Sequence, residues 1–488
     1  AAQKRVLAFF IESLGIKMTR EEIINIFEVQ KKNRWAVANT SAQQRILRLK
    51  KLREAIIKFE SGLYLAFNKD FGKPSTEVEI TEVYPVLEEI KFTIKKLKNW
   101  MKPKWTPTPL PLIGCSSQIR YEAKGQVLIM GPWNYPFNLV MTPLVSAVAA
   151  GNVVVLRPSN KTQNVTSVIK AIIQHVFPTN EVAVVGGDTS VADLLLEMPF
   201  DHIFFTGSPK IGRKIMASAA KYLSSVTLEL GGKSPAIVHK DADLDVTVDR
   251  LVWASFLNAG QTCVAPDYVF VHKDIELEFQ SKIKARIETV FGSNYSEREQ
   301  SKDMAKVIDP LSLNRLQNLI SSSIASGAKL LCGGKTNAET RFLEPTVLTG
   351  VQPEHSIMSE EIFGPIIPIL SYEDIDNVIQ YIRSKDKPLA LYVFAQSKII
   401  HEKFLSETTS GGALINHAVI HVSNPYLPFG GVGTSGLGNY HGFYGFKTFS
   451  HEKAVVKQGR LGLTSNLFPP YSRWRTRATL FLLRWLSR

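Results

Sequence analysis

Residues 225–267 read SVTLELGGKSPAIVHKDADLDVTVDRLVWASFLNAGQTCVAPD, and they hold the acid and the thiol on which the interpretation of the chain depends. Glu229 ends a β-like run directly before the glycine pair 231–232. Cys263 follows an apolar segment and the short Gly260-Gln261-Thr262 sequence. A thiol in a loop and a carboxylate from another element suit a nucleophile and a base. Taken alone, each also fits an ordinary role, as a small buried cysteine and a surface glutamate.

The sequence around this stretch alternates between strand-like and helix-like segments. Three capping boxes, Thr19 with Glu22, Ser41 with Gln44 and Thr76 with Glu79, predict the starts of three N-terminal helices. From Gly125 the predicted order is strand 127–130, helix 142–150, strand 153–156, helix 165–176, strand 182–185, helix 191–197 and strand 202–205. Alternation of this kind predicts an α/β fold with a parallel sheet wrapped by helices.

Charge and cysteine content limit the classes of function. The net charge is +14, but the segment from His451 to Arg488 holds eight Lys or Arg and one acid, and therefore half of that charge. The body is only mildly basic, so we predict no nucleic-acid partner. Cys115, Cys263 and Cys332 are odd in number and widely spaced, which favours free thiols in a reducing, cytoplasmic compartment. The N-terminal stretch to Lys17 is a poor signal peptide.

Several ordered motifs resemble those of the aldehyde dehydrogenase superfamily, over roughly Lys31 to Lys453. In chain order they are Gly131-Pro-Trp-Asn-Tyr-Pro-Phe137, Phe205-Thr-Gly-Ser-Pro209, Leu228-Glu-Leu-Gly-Gly-Lys-Ser-Pro235, Asn258-Ala-Gly-Gln-Thr-Cys-Val-Ala-Pro266, Glu360-Glu-Ile-Phe-Gly-Pro365 and Pro428-Phe-Gly-Gly-Val-Gly433. So many motifs in one order are highly specific. Two regions resemble the class 3 branch, which acts on fatty or aromatic aldehydes. They are the Trp133-Asn134-Tyr135-Pro136 motif and the Tyr440-His441-Gly442 region.

The resemblance implies a Rossmann-like cofactor domain, an α/β catalytic domain and a small β oligomerisation arm. We assign residues 1–103 and 125–230 to the NAD(P)-binding domain with its N-terminal helices, and residues 231–411 to the catalytic domain. The arm comprises residues 104–124 and residues 412–450, and the second of these segments begins with the strand after Gly411. Residues 451–488 form a basic amphipathic tail. Class 3 relatives imply a homodimer.

The resemblance also implies the catalytic residues. Cys263 attacks the aldehyde, the Asn134 side chain and the Cys263 N–H hold the oxyanion, and Glu229 activates water to hydrolyse the thioester. The expected product is a free carboxylic acid. Two alternatives stay open: an acylating enzyme that requires coenzyme A, and a catalytically silent structural relative.

The cofactor is expected to be NAD or NADP. Gly207, Ser208 and Gly212, at a strand-to-helix junction, are similar to the family's pyrophosphate site, and Glu361 and Phe363 to its nicotinamide-ribose site. The remaining predicted cofactor contacts are Trp133, Arg157, Ser159, Asn160 and Leu230. Asn160 stands where the family commonly has a glutamate, which would repel a 2′-phosphate, so appreciable use of NADP is expected.

Two further features receive an interpretation. His417, His421 and His441 have no recognised ligand pattern, so no metal is predicted and loop or substrate-pocket roles are favoured. Tyr471–Arg488 predicts a helix with an arginine stripe at residues 473, 477, 484 and 488, and with apolar residues at 474, 478, 481, 482, 485 and 486. Such a helix suits peripheral contact with an anionic membrane, or a cover for the substrate entrance.

Overall fold

A computed structural model describes residues 18–460, 462–471 and 473–487. The helices alternate with strands along most of the chain, as the sequence predicts. They are α1 Arg20–Ala38, α2 Ala42–Phe71, α3 Ser75–Val78, α4 Tyr84–Trp100, α5 Asn138–Ala150, α6 Gln163–Val176, α7 Thr189–Leu196, α8 Pro209–Ala220, α9 Leu244–Phe256, α10 Glu276–Phe291, α11 Tyr295–Gln300, α12 Pro310–Ala325, α13 Ile375–Ser384, α14 Lys398–Glu407, α15 Gly442–Thr448 and α16 Trp474–Leu486.

The strands form three main sheets and a short ribbon. They are β1 Lys104–Thr106, β2 Cys115–Ala123, β3 Gln126–Met130, β4 Val153–Arg157, β5 Val182–Val184, β6 His202–Gly207, β7 Ser225–Leu230, β8 Pro235–Val238, β9 Tyr268–His272, β10 Lys329–Cys332, β11 Thr336–Asn337, β12 Phe342–Leu343, β13 Thr346–Thr349, β14 Ile366–Tyr372, β15 Ala390–Phe394, β16 Gly412–Ile415, β17 Gly436–Leu437 and β18 Ser450–Gln458.

Local capping starts the first two helices as predicted. The side chains of Thr19 and Ser41 each accept a hydrogen bond from the backbone N–H of the third residue of their helix. The side chain of that third residue accepts a hydrogen bond from the N–H of the cap residue. The third predicted capping box is wrong: α3 begins at Ser75 after Pro74, without a side-chain cap, and passes into a π-helical turn at Glu79–Val83. The N-terminal stretch to Lys17, interpreted above as a poor signal peptide, lies outside the described residues.

The first sheet carries the predicted β-α-β pattern. Within the described residues its order is β17-β7-β6-β3-β4-β5, and its strands are parallel except for β17, which pairs antiparallel with β7. The strands are buried on both faces because helices cover both sides. The C-terminal ends of its parallel strands therefore meet at one edge, where ligands of such sheets bind.

The second sheet holds β8 and β9 and lies after the predicted boundary at residue 231. Its order in the described chain is β10-β13-β14-β9-β8-β15-β16. Here one assignment needs correction: the strand after Gly411, predicted to belong to the arm, pairs in parallel with β15 from Ala390↔Gly412 to Val393↔Ile415. Its apolar Ala-Leu-Ile sequence suits an edge of this sheet, and periodicity alone cannot choose between two sheets.

The third sheet is antiparallel, with the order β1-β2-β18. β18 pairs with β2 over nine residues, from Ser450↔Ala123 to Gln458↔Cys115. Strand β18 therefore begins at Ser450, and all but its first residue lies in the segment 451–488 that was predicted to be the tail. Whether this sheet acts as an oligomerisation arm, and where the domains end, stay predictions.

The C-terminal helix α16 forms where the sequence predicts a helix. Its neighbours in the described chain include the 3₁₀ turn Leu463–Leu467, whose Asn466 carbonyl accepts a bond from the Thr476 hydroxyl at 2.8 Å. Among the helices that the structure describes, none has the length and apolar content needed to cross a bilayer.

Candidate active site

The thiol lies on a loop with an unusual backbone. After α9, Asn258, Ala259 and Gly260 follow one another with φ of 55°, 53° and 69°, a conformation that costs free energy for residues with a side chain. At Gly260 a Cβ would stand 2.2 Å from the Gly364 carbonyl oxygen, so only glycine fits. This sharp reversal brings Cys263 out of the helix direction and into a cavity.

The carboxylate comes from the other sheet. Glu229 is the fifth residue of β7, is 3% exposed, and pairs across the sheet edge with Gly436. Neither of its carboxylate oxygens has a hydrogen-bond partner among the described residues. Because burial penalises the charged form, the pKa of Glu229 lies well above its usual range. A buried carboxyl without a partner is what a reaction centre, rather than a packed core, contains.

Cys263 and Glu229 line the same cavity, of about 270 Å³. Its walls are mostly apolar and come from distant parts of the chain: Ile80, Thr81, Pro85, Tyr135, Asn138, Leu139, Thr206, Trp253, Leu257, Thr262, Val264, Leu389, Val419, Ile420, Val422, Ser423, Phe429, Tyr440 and His441. The cavity suits an apolar molecule with one reactive polar end.

The electrostatics of the cavity hold the thiol in its neutral form. Burial, followed by the carboxyls of Glu361 and Glu229, raises the pKa of Cys263 to about 12, against the N–H groups of Cys263 and Val264. The sulfur needs either a local base or a positive charge nearby before it is nucleophilic.

Asn134 lies beside the loop of residues 257–263, which we call the nucleophile loop after the role predicted for Cys263. It is 4% exposed, and its side-chain nitrogen donates to the Gln261 carbonyl at 3.1 Å. Asn258 donates in turn to the Asn134 carbonyl at 3.0 Å and to the Gln261 carbonyl at 3.1 Å. The loops carrying Asn134 and Cys263 are therefore tied together, and the amide retains a second proton for another acceptor.

The structure adds residues that sequence reasoning did not single out. The Tyr135 hydroxyl lies 2.5 Å from the Thr262 hydroxyl, next to the thiol. Both residues lie within motifs quoted above, beside Asn134 and Cys263, and this position in the sequence was the signal that could have identified them. Ile80, Thr81 and Pro85 line the cavity from the N-terminal helices. No sequence signal marked them, because small and apolar wall residues look like core.

Of the three histidines, His441 lines the cavity. Burial and the neighbouring His421 lower its pKa to about 4, so it is neutral at physiological pH. No group of metal-ligating side chains assembles in the part of the chain that the structure describes.

The predicted adenosine end lies at the C-terminal edge of the first sheet. Ser159 and Asn160, together with Gly187 and Ser190, line a second cavity of about 600 Å³. The Arg157 guanidinium does not line it, and donates instead to the Gly187 and Asp188 carbonyls at 3.3 and 3.2 Å. Arg157 therefore braces the loop that forms one wall.

The predicted pyrophosphate site follows β6. Ser208 is the N-cap of α8, and its side chain makes no cap bond, so the first N–H groups of the helix stay available to an anion. A Cβ on Gly212 would stand 2.8 Å from the Leu230 side chain, and one on Gly207 2.4 Å from the Phe205 ring. Gly212 therefore allows close packing of α8 on β7, and Gly207 leaves room for the Phe205 ring of its own strand.

The predicted nicotinamide end lies beyond β7. A Cβ on Gly231 would meet the Glu361 carboxylate at 2.1 Å, and burial raises the pKa of Glu361 to about 8. Glu361 and Gly231 line a third cavity, of about 360 Å³. Trp133 and Phe363 stack edge to face with centroids 5.4 Å apart, and Phe363 has a φ of 51°. Glycine backbones, an available helix start and a buried carboxyl along one sheet edge fit an extended dinucleotide.

Comparison with known proteins agrees with this geometry. The model of the aldehyde dehydrogenase family matches residues 16–455. The chain is 40% identical to aldehyde dehydrogenase family 3 member H1 of Arabidopsis thaliana over 434 residues, which cover 89% of each protein. It is 39% identical to the dimeric NADP-preferring aldehyde dehydrogenase of Rattus norvegicus over 421 residues, covering 86% of this chain and 91% of that one.

A solved structure gives the same result for the fold. The substrate-bound state of Staphylococcus aureus AldH superposes with a TM-score of 0.90 at 38% identity, covering 96% of this chain and 99% of that one. Family match, identity and fold agree over nearly the whole chain, and so the protein belongs to the aldehyde dehydrogenase family, as a class 3-like enzyme that oxidises aldehydes with NAD or NADP.

Proposed function

We propose that the enzyme converts medium- or long-chain aliphatic or aromatic aldehydes to free carboxylic acids, with Cys263 as nucleophile and Glu229 as hydrolytic base. The observation that supports this most is the shared apolar cavity, in which Cys263 and the unpartnered Glu229 carboxyl are the reactive groups. An apolar cavity favours aldehydes with hydrocarbon tails, because burying each methylene contributes about 0.8 kcal/mol.

In the proposed sequence, Cys263 releases its proton to solvent water, and its thiolate attacks the carbonyl carbon, whose π electrons move to the oxygen to form the thiohemiacetal anion. The developing oxyanion accepts hydrogen bonds from the Asn134 amide and the Cys263 N–H. NAD or NADP, when bound, supplies the hydride acceptor for the oxidation. Collapse of the thiohemiacetal leaves a thioester on Cys263. Glu229 then takes a proton from water, whose oxygen attacks the thioester and releases the carboxylic acid and the thiol.

Glu229 also bears on the two rival functions. An enzyme that passes its acyl group to coenzyme A needs no base for water, and the family's acylating members generally lack this acid. A silent relative has no need of a buried, unpartnered carboxyl facing a thiol. A chain-length series from short aldehydes to C16, with one aromatic aldehyde, compared by kcat/KM with and without coenzyme A, tests the proposal. An absolute requirement for coenzyme A, or no cofactor reduction with any aldehyde, would refute it.

We propose appreciable use of NADP alongside NAD. Asn160 is an uncharged lining residue of the adenosine-side cavity, and Arg157 donates to the carbonyls of Gly187 and Asp188 in the wall of that cavity. The rat relative is named for its NADP preference. Restoring the carboxylate with Asn160→Glu is expected to lower kcat/KM for NADP about tenfold and to leave that for NAD within threefold. A wild-type kcat/KM for NADP thousands of times below that for NAD would contradict the proposal.

We propose a cytoplasmic homodimer in which the three-stranded sheet acts as the oligomerisation arm. β16 leaves one edge of the catalytic sheet without a partner strand in the described chain, and such an edge accepts a strand from another chain. The rat relative is named as dimeric. Light scattering of the intact enzyme tests this, and a monomer at micromolar concentration would exclude it.

We propose peripheral membrane contact through the C-terminal helix. Trp474, Phe481 and Trp485 are 74%, 75% and 67% exposed, beside exposed arginines 473, 477 and 484. Arginines with aromatic anchors suit an anionic lipid surface. Deletion of Tyr471–Arg488 is expected to abolish co-sedimentation with phosphatidylserine-containing vesicles. Unchanged sedimentation would leave the helix as a cover for the substrate entrance.

A further inference from the structure

We propose that Glu77 is a positioning residue for the nucleophile, because its carboxylate fixes the loop that carries Cys263 by accepting a hydrogen bond from the Asn258 N–H. Glu77 Oε2 lies 3.0 Å from the Asn258 nitrogen, although the two residues are 181 positions apart in the chain. The inference rests on the nucleophilic role proposed above for Cys263. It assigns a catalytic consequence to α3, a short helix outside the family motifs quoted above.

The loop needs such an anchor because its backbone is unfavourable. Asn258 is the first of three successive residues with positive φ, and it follows directly on the last turn of α9. Two of the three carry side chains, and such residues keep this conformation only where the surrounding structure holds them in it. A bond to the N–H of the first residue determines where the reversal begins.

A buried ion pair, Lys73 with Glu82, lies near Glu77 and acts on it electrostatically. Lys73 is 1% exposed, lies 3.0 Å from Glu82 and 4.0 Å from the centre of the Tyr135 ring. Burial raises the pKa of Glu77 to about 7, and the positive charge of Lys73 and the Asn258 N–H act in the opposite direction, toward the carboxylate. Because a carboxylate is a stronger acceptor than a neutral acid, Lys73 favours the form of Glu77 that binds the loop more strongly.

The same ion pair reaches the second loop of the site. Glu82 accepts the Asn138 N–H at 2.8 Å, at the start of α5, and Tyr135 touches Thr262. Asn258 itself bonds to the Asn134 carbonyl. A shift of Asn258 would therefore move the thiol and the Asn134 amide relative to each other, and would affect the attack on the carbonyl more than the binding of the aldehyde tail.

The test compares three variants with the wild type in the intact enzyme. Glu77→Ala removes the acceptor, whereas Glu77→Gln keeps an oxygen of the same reach. Glu79→Ala, two residues further on, removes a carboxylate that accepts the Tyr64 hydroxyl at 2.6 Å, and serves as the matched control. We expect Glu77→Ala to slow the first-turnover release of reduced cofactor about tenfold with an unchanged KM, Glu77→Gln to restore it to within threefold, and Glu79→Ala to match the wild type.

Alkylation of Cys263 by iodoacetamide gives a second readout, and is expected to slow about tenfold in Glu77→Ala alone. If that variant does not fold, Glu77→Asp replaces it, and its shorter carboxylate is expected to slow the first turnover about threefold. A first-turnover rate within twofold of the wild type, or a Glu77→Gln variant as slow as Glu77→Ala, would overturn the inference. If the proposed function were wrong, the Cys263→Ala variant would still oxidise aldehydes at the wild-type rate.

Discussion

The nucleophile loop and the C-terminal helix differ in how completely the rest of the molecule determines them. Asn258 and Gln261 are fully buried, and their backbone and side-chain groups bond to three separate segments. Helix α16 has the opposite arrangement: Thr476 and Thr479 are its buried residues, whereas Trp474 is 74% exposed.

The difference shows where each region obtains its stability. The loop holds an unfavourable backbone because many bonds converge on it, which suits a group that must stay fixed during a reaction. The helix leaves large aromatic side chains in water, where they gain nothing from burial. The membrane contact proposed above would use this exposed apolar face, and the proposed chemistry would use the fixed loop.

The largest effect is expected from removing the thiol. Cys263→Ala is expected to lower kcat at least about 1,000-fold, because no other group replaces the covalent step. Cys332 is the comparison: it is buried in β10, outside the cavity, and Cys332→Ala is expected to leave kcat within twofold while lowering the melting temperature. Steady-state rates and thermal unfolding of both variants test this prediction. An equal loss of kcat in the two variants would contradict the assignment of the nucleophile to Cys263.

A smaller loss is expected from the acid. Glu229→Gln is expected to lower steady-state turnover about 100-fold while a burst of reduced cofactor, equal to one turnover per site, remains. The burst remains because acylation uses Cys263, whereas hydrolysis uses the carboxylate. Stopped-flow absorbance of the cofactor measures both phases. Wild-type turnover in this variant would contradict the hydrolytic role of Glu229.

The same variant tests the cost of burying the acid. The folded protein raises the pKa of Glu229, so the carboxyl contributes stability that is complete below the unfolded pKa and is lost as pH rises toward the folded pKa. Glu229→Gln has no such titration, and its melting temperature is expected to rise relative to the wild type as pH increases from 5 to 9. Glu339→Gln, at an exposed site, is the control and should show a constant difference.

The smallest effect on catalysis is expected from the C-terminal helix. Deletion of Tyr471–Arg488 is expected to change kcat/KM for a short soluble aldehyde less than twofold, and the melting temperature by less than about 2 °C, because the helix buries little apolar surface. A large drop in either would show that α16 belongs to the folded core of the enzyme and would break the contrast with the nucleophile loop.

Much of the molecule was readable from the sequence because local chemistry decides it. Thr19 and Ser41 start helices through bonds to their own first turns. The alternating segments from Gly125 predicted a parallel sheet, and the family words predicted which acid and thiol to place together. Each cap, strand or motif spans only a few residues and can be read locally, whereas the pairing of the acid with the thiol came from the family resemblance.

The tertiary structure alone decided the contacts between distant segments. β16 could pair with either of two sheets, and only its neighbour β15 assigns it. Glu77 is an ordinary acid in the first turn of a helix until the fold brings it to the Asn258 N–H. Trp474 is likewise exposed because of where α16 lies on the folded chain, which its own sequence does not specify. Sequence patterns encode which face a segment buries, but the partner of that face is set by packing across the whole chain.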